Sequence, residues 1–440
     1  MEWGKPSDQV ASPKAPVAIS QPGVYRRPLA VVTLLFFMWG FLTCLNDILV
    51  PHLKSIFELT YARVMLIQFS FFSAYFLFSI PAAKVVDWIG YQRTMVAGLL
   101  TMSVGAFLFV PAASVVSYHL FLTALIILAA GITALQVAAN PYVIVLGSPE
   151  TASSRLNLTQ AFNSLGTTIA PSIGSLLILS AAPLAIEERR SLTPAALQLY
   201  RTQQAASVKI PYIVIGLLLV LLAGVIGRSK LPTIASAQHP LGEQINDSLW
   251  RHRNLILGAI GIFTYVGAEV AIGSFLVNYF SQPEIAGLSA KVAAKYVSFY
   301  WGGAMVGRFI GSALLRKVKT GHLLGLCAAC TTTLLVTSII TSGHLAMWSI
   351  LAIGLFNSIM FPSIFTLGLA ELGALAGDGS GILNMAIVGG AVIPLAQGFI
   401  ADRIGIHHAF LLPVVCYLYI LYYALAGSKP NSERIRQDGS

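Results

Sequence analysis

The sequence predicts an all-α integral membrane protein. Twelve transmembrane helices are expected, in two pseudo-symmetric six-helix bundles, with both termini cytoplasmic. Three observations predict this. Of 440 residues, 56% are hydrophobic and only 10% are charged, against about 25% charged in an ordinary soluble domain. Apolar runs long enough to cross a bilayer recur about twelve times along the chain. The basic residues fall in short loops, 17 on one side and 9 on the other, so the richer side is cytoplasmic. The net charge of +10 is therefore spread along a membrane surface, and no nucleic-acid partner is expected.

The elements follow in order. Residues 1–24 are polar, with Pro13, Pro16 and Pro22, and read as a disordered cytoplasmic tail. A first bundle spans 25–228, with helices expected near 28–57, 62–86, 93–113, 118–146, 155–183 and 208–228. Residues 229–253 are the longest polar interior stretch and form a cytoplasmic linker. A second bundle spans 254–428, with helices near 254–282, 291–316, 321–341, 345–371, 379–403 and 406–427. Residues 429–440 form a second cytoplasmic tail. The halves echo each other. Asn140-Pro141 precedes Pro171 by 30 residues, and Phe361-Pro362 precedes Pro394 by 32, which suggests a parallel duplication.

Two acids stand out. Leu29 to Leu53 is a spanning length whose one full charge is Asp47, and Leu255 to Phe280 is another whose one full charge is Glu269. A carboxylate at such depth costs about 2.5–3.5 kcal/mol to insert, so it usually faces a watery cavity and serves transport. Asp47 is the candidate coupling group. Burying its bare charge opposes an occluded state, and a bound cation relieves that cost. The competing reading is a structural acid satisfied by Asn46 or Thr43. Glu269 suits a hydroxyl acceptor, an ion ligand or a structural partner.

Amides occur within the spans at unusual frequency. Gln136 and Asn140 share a helix face, as do Gln160 and Asn163. Asn278, Asn357 and Asn384 are further candidates, beside Gln68 and Gln397. An amide offers two donors and an acceptor, which matches sugar hydroxyls; the same groups also knit helices together. Among aromatics that could face a sugar ring, Tyr265 and Trp301 are preferred over Trp39, Phe299 and Tyr300. Arg308 lies within a helix near its inner end and is expected to snorkel, or to pair with Glu371 or Asp378. Cys327-Ala-Ala-Cys330 sits mid-helix with no second pair, and reads as packing.

Longer runs carry a family resemblance. Phe41-Leu-Thr-Cys-Leu-Asn-Asp47-Ile-Leu-Val-Pro-His52, Leu135-Gln-Val-Ala-Ala-Asn-Pro-Tyr-Val143 and Arg155-Leu-Asn-Leu-Thr-Gln-Ala-Phe-Asn-Ser-Leu-Gly166 resemble the fucose permease (fucose:proton symporter) branch of the major facilitator superfamily. Tyr265 to Tyr279 resembles its glucose/galactose transporter subgroup. The superfamily's loop signature survives only as Asp87, Gly90 and Arg93, where an interhelical latch is expected. The glutamate that fucose permease carries in helix 4 is replaced here by Gln136, which cannot titrate.

The resemblance implies a major facilitator fold and secondary active import of a hexose, glucose and/or galactose, by cation-coupled symport with alternating access. Asp47 and Asn46 would form the coupling site. Gln136, Asn140, Gln160, Asn163, Tyr265 and Glu269 would contact sugar, with Asn278, Trp301, Asn357 and Asn384. The proton is the expected ion. Sodium at Asp47 is the alternative, as are fucose or mannose for the substrate and amphiphile efflux by antiport for the activity. No cofactor and no resident metal are expected. The setting is a multi-pass position in a bacterial inner membrane, as a monomer. With no HExxH, no phosphate-binding glycine loop and no sizeable extramembrane domain, an enzyme is not expected.

Overall fold

The computed structural model describes residues 25–57, 61–178, 192–206, 208–232 and 248–429. Within these helices the side chains of 43, 45–68, 171–178, 204, 205 and 290 are outside the description. The expected tail 1–24, most of the linker (233–247), residues 430–440, and the side chains of Asn46, Asp47, Gln68 and Pro171 therefore lie outside the described residues.

Everything described is helix and short connection. The first half contains α1 (Arg26–Phe57), α2 (Tyr61–Ile89), α3 (Tyr91–Ser114), α4 (Tyr118–Val145), α5 (Ala152–Ile178), a short α6 (Pro194–Ala206) and α7 (Lys209–Arg228). The second half contains α8 (Arg253–Phe280), α9 (Ala290–Leu314), α10 (Thr320–Ile340), α11 (Gly343–Gly368), α12 (Gly373–Ile404) and α13 (Ile406–Gly427). Nine of the described helices are long and apolar enough to cross a membrane. Helices α1, α5 and α9 are long helices packed among them. Helix α6 was not expected. Its signal was legible, because Thr193 accepts the Ala196 N–H as an N-cap and Pro194 follows at the first helical position.

Small residues set the close approaches. Lipid is as apolar as leucine, so helices in a membrane associate by packing rather than by hydrophobic exclusion, and small residues let backbones meet. Helices α1 and α5 cross where a Cβ at Gly166 would lie 2.2 Å from the Phe37 carbonyl oxygen. Helices α8 and α12 cross where a Cβ at Gly389 would lie 2.0 Å from the Phe263 carbonyl oxygen. The same contact is thus made twice, once in each half. Helices α3 and α4 meet at Gly98 and Gly131, and α9 and α11 at Gly354.

Two proline-containing helices create the features that matter for the site. Proline has no N–H, so the carbonyl four residues earlier loses its helical partner. In α4, Pro141 vacates the Val137 carbonyl. In α11, Pro362 vacates the Ser358 carbonyl, and the helix breaks there into Gly343–Asn357 and Met360–Gly368. Both vacated oxygens are taken by side chains from other helices, described below.

The halves meet along two seams, α2 and α4 against α12, and α5 against α9 and α11. Both seams reach the end of the molecule that carries the α2–α3 and α4–α5 loops, flanked by Lys84, Arg93 and Arg155 and called the inner end after the expected orientation. Arg155 organises the α4–α5 loop by donating to the carbonyls of Val143, Ile144 and Ser148, capping the end of α4.

Candidate functional site

The first seam closes through α12. Ser380 donates its hydroxyl to the Pro141-vacated Val137 carbonyl at 2.9 Å, and Lys84 pairs with Asp378 at 2.8 Å. The Asp87 carboxylate lies beside Gly377, in the first turn of the Ala376–Met385 helix, where the helix dipole favours a negative charge. Gly90, next to this latch, holds φ 81°, which suits glycine alone.

The second seam closes through α5 and α9. Ser154 and Ser312 exchange hydroxyl-to-carbonyl hydrogen bonds at 2.6 and 3.0 Å. Asn157 donates to the Arg308 carbonyl at 2.7 Å, and Thr168 contacts the Met305 sulfur at 3.5 Å. On α9, residues 301, 305, 308 and 312 share one face. Met305, Arg308 and Ser312 are engaged with α5. One turn further out, Trp301 is 44% exposed.

Arg308 does not pair with Asp378, which is occupied by Lys84 on the other seam. Nor does it snorkel to the surface. Its Nη1 donates to the Ser164 hydroxyl on α5, and its Nε donates to the Pro362-vacated Ser358 carbonyl at 3.3 Å. A break in α11 explains this, since it offers the guanidinium a carbonyl left without its helical donor.

Above Arg308 lies a compact polar cluster. Tyr265 reaches both Glu269 Oε1, one turn along α8, at 2.8 Å and the Asn357 carbonyl at 3.0 Å. Asn357 Nδ2 donates to the hydroxyls of Tyr300 and Tyr417 at 2.9 and 2.8 Å, while its Oδ1 is buried without a partner. Arg308 lies within electrostatic reach of Glu269. The Trp301 ring stands edge-on to Tyr300, with centroids 5.1 Å apart, and rests against Gly273, where a Cβ would lie 3.1 Å from the ring. Gly273 follows Glu269 by one helical turn, so Trp301 and Glu269 share a side of α8.

The first-half amides occupy α4 and α5. Gln136 donates to Tyr75 Oη at 2.5 Å. Asn140 is fully buried, and both its amide atoms lack partners; Gln160 Nε2 lacks one too. Asn163 donates to the Phe36 carbonyl at the α1–α5 crossing, so its nitrogen is committed to packing. On α12, Asn384 donates to Ser380 while its Oδ1 is unpartnered.

The structure sets Asn278 apart from the Glu269 cluster. Asn278 is exposed. It follows Glu269 by nine residues on α8, about 180° around the helix. Its amide type suggested the site, but its phase excludes it from the Glu269 cluster. Phe299 is 60% exposed and packs on Trp348, away from the cluster. Gln397 is buried without partners, one turn beyond Ile393, which packs on Gly267 and so behind Glu269. Sequence reasoning missed Tyr75, Ser164, Tyr417 and the freed Ser358 carbonyl. The proline spacing was the available signal for Ser358 and Val137. Nothing local marks Tyr417 among the aromatics of α13.

The helical fold is shared with known transporters. The chain matches the Major Facilitator Superfamily over residues 29–393, and it belongs to that family. It is 55% identical over 405 residues to the glucose/galactose transporter of Brucella abortus biovar 1 (strain 9-941), covering 92% of this chain and 95% of that protein. It is 35% identical to the L-fucose-proton symporter of Escherichia coli (strain K12), covering 91% of this chain and 93% of that protein. Its fold is similar to the crystal structure of the superfamily transporter FucP in the outward conformation, with a TM-score of 0.85, 34% identity, and coverage of 91% of this chain and 98% of that one.

Proposed function

We propose that this chain is a secondary active sugar transporter of twelve spans in a bacterial inner membrane, with both termini cytoplasmic. It imports a hexose, glucose and/or galactose, by proton-coupled symport with alternating access between two six-helix halves. One observation carries the substrate class. The described helices hold buried hydrogen-bonding capacity, in this cluster and on α4, α5 and α12, that the protein does not use. Asn357 Oδ1, Asn384 Oδ1, Gln160 Nε2 and both amide atoms of Asn140 are buried without partners. The Tyr300 and Tyr417 hydroxyls accept from Asn357 and keep their own protons to give. A buried polar group without a partner costs about 1–3 kcal/mol, so such groups are retained where a ligand or water satisfies them during the cycle. Sugar hydroxyls both donate and accept, and the half-exposed Trp301 face suits the apolar side of a pyranose. The glucose/galactose transporter relative supports the hexose, and the L-fucose-proton symporter relative supports the proton.

Asp47 is the proposed coupling carboxylate, with Asn46 beside it. The seams are closed at the inner end and Trp301 is open above them, which supports an outward-facing state. The test is uptake into proteoliposomes under imposed pH or sodium gradients, for the native protein and Asp47→Asn. The native protein is expected to concentrate glucose or galactose on a proton gradient. The variant is expected to lose accumulation while retaining sugar exchange. Full gradient-driven accumulation by the variant would remove the coupling role from Asp47, and accumulation on sodium alone would reassign the ion.

A further inference from the structure

We infer that Arg308 is the positioning residue that ties the occupancy of the sugar cluster to the inner gate. This rests on the hexose reading above. Arg308 is joined to the opposite half in two ways, through its side chain to Ser164 and through its backbone carbonyl to Asn157. Its guanidinium is also bonded within its own half, to the carbonyl that Pro362 vacates at Ser358. Ser358 adjoins Asn357, whose own carbonyl accepts from Tyr265 and whose amide holds Tyr300 and Tyr417. Arg308 and Glu269 also attract one another.

The consequence is mechanical and electrostatic. A guanidinium is a planar fork whose donors point in fixed directions. With Ser164 and Ser358 on its arms, Arg308 closes α5 onto the hinge of α11. A sugar that bonds Glu269, Tyr265 or Asn357 changes the charge distribution beside the fork and the position of the hinge it holds. The Arg308–Ser164 bond is then the one that yields. Opening at Ser164 exposes Asn157, whose Oδ1 is buried and unpartnered, to water on the inner side, which offsets the lost bond.

The experiment uses a reporter, Ser153→Cys, in inverted membrane vesicles. Ser153 is buried at the innermost part of the same seam, where it accepts from Thr320. Labelling by a membrane-impermeant maleimide is followed with and without glucose or galactose, against the same proteins lacking the reporter. With Arg308 intact, labelling is expected to be slow without sugar and about tenfold faster with it, as a shifted two-state equilibrium requires. Arg308→Gln should label fast in both conditions. Arg308→Lys keeps the charge but not the fork and should recover part of the sugar dependence. Ser164→Ala, which removes a single bond, should label faster than the native protein without sugar and serves if Arg308→Gln does not fold. Glu269→Gln should stay slow with or without sugar. A sugar-dependent, natively slow reporter in both Arg308→Gln and Ser164→Ala would overturn the assignment. If neither sugar alters labelling with Arg308 intact, yet Arg308→Gln labels fast, the hexose reading fails and the gate role of Arg308 stands.

Discussion

Tyr265 has one hydroxyl proton and two acceptors, Glu269 Oε1 and the Asn357 carbonyl. The hydroxyl is shared between them, and Glu269 accepts from it. Glu269→Gln should accordingly fold with near-native stability, since the amide oxygen accepts from Tyr265 as the carboxylate does. Glu269→Ala should lose about 1–3 kcal/mol by leaving a gap beside Tyr265 with no acceptor in it. Thermal unfolding of the purified protein separates the two, and a Gln variant as unstable as the Ala variant would contradict that acceptor role. The Trp301 platform makes a second prediction. A side chain at Gly273 would enter the space of the indole, so Gly273→Leu should raise the sugar concentration for half-maximal uptake several-fold, while expression changes little. A variant with native sugar affinity would exclude Trp301 from the seat.

Pairs of helices are held by backbone approach rather than by large side chains. A Cβ at Gly354 would lie 2.0 Å from the Tyr300 carbonyl oxygen, so neither α9 nor α11 has room to adjust without moving its main chain. Gly354→Ala is expected to cost about 1–3 kcal/mol or more through overpacking. Gly302→Ala, where a Cβ meets nothing within 4 Å, should be neutral or mildly stabilising because alanine is the better helix former. Equal melting temperatures for the two variants would contradict the packing assignment. The proline helices show the opposite use of the backbone. Each gives up an internal hydrogen bond, and the freed carbonyl becomes a docking point, Val137 for Ser380 and Ser358 for Arg308.

At the scale of the whole molecule, many weak cross-seam bonds stand against whatever opens it. The Lys84–Asp378 pair joins the halves, but the lysine side chain is 52% exposed. Such a pair contributes about 0–1 kcal/mol. That is small for stability, yet a difference of 1 kcal/mol is about fivefold in the ratio of two states. Lys84→Asp should therefore melt near the native temperature while populating the inward-open form up to about fivefold more. The double swap with Asp378→Lys should restore the native ratio. Distance distributions between labels on the two inner rims would read this, and no recovery in the double swap would exclude the pair from the gate.

Much was legible before any coordinates. Apolar runs of spanning length and basic loops fixed the class, because a bilayer leaves a backbone few choices. The lone Glu269 announced a polar interior, and Pro141 and Pro362 announced the likeness of the two halves, while the carbonyls those prolines free were read only from the structure. Three further things waited for the tertiary structure. Arg308 chose a serine and a broken helix over the acids that sequence offered it. Asn278 turned away from the cluster by helical phase. Asn163 spent its nitrogen on a crossing of α1 and α5. The physical reason is common to all three: composition and periodicity state which groups a helix carries, but hydrogen-bond partners are selected by the relative placement of helices distant in the chain.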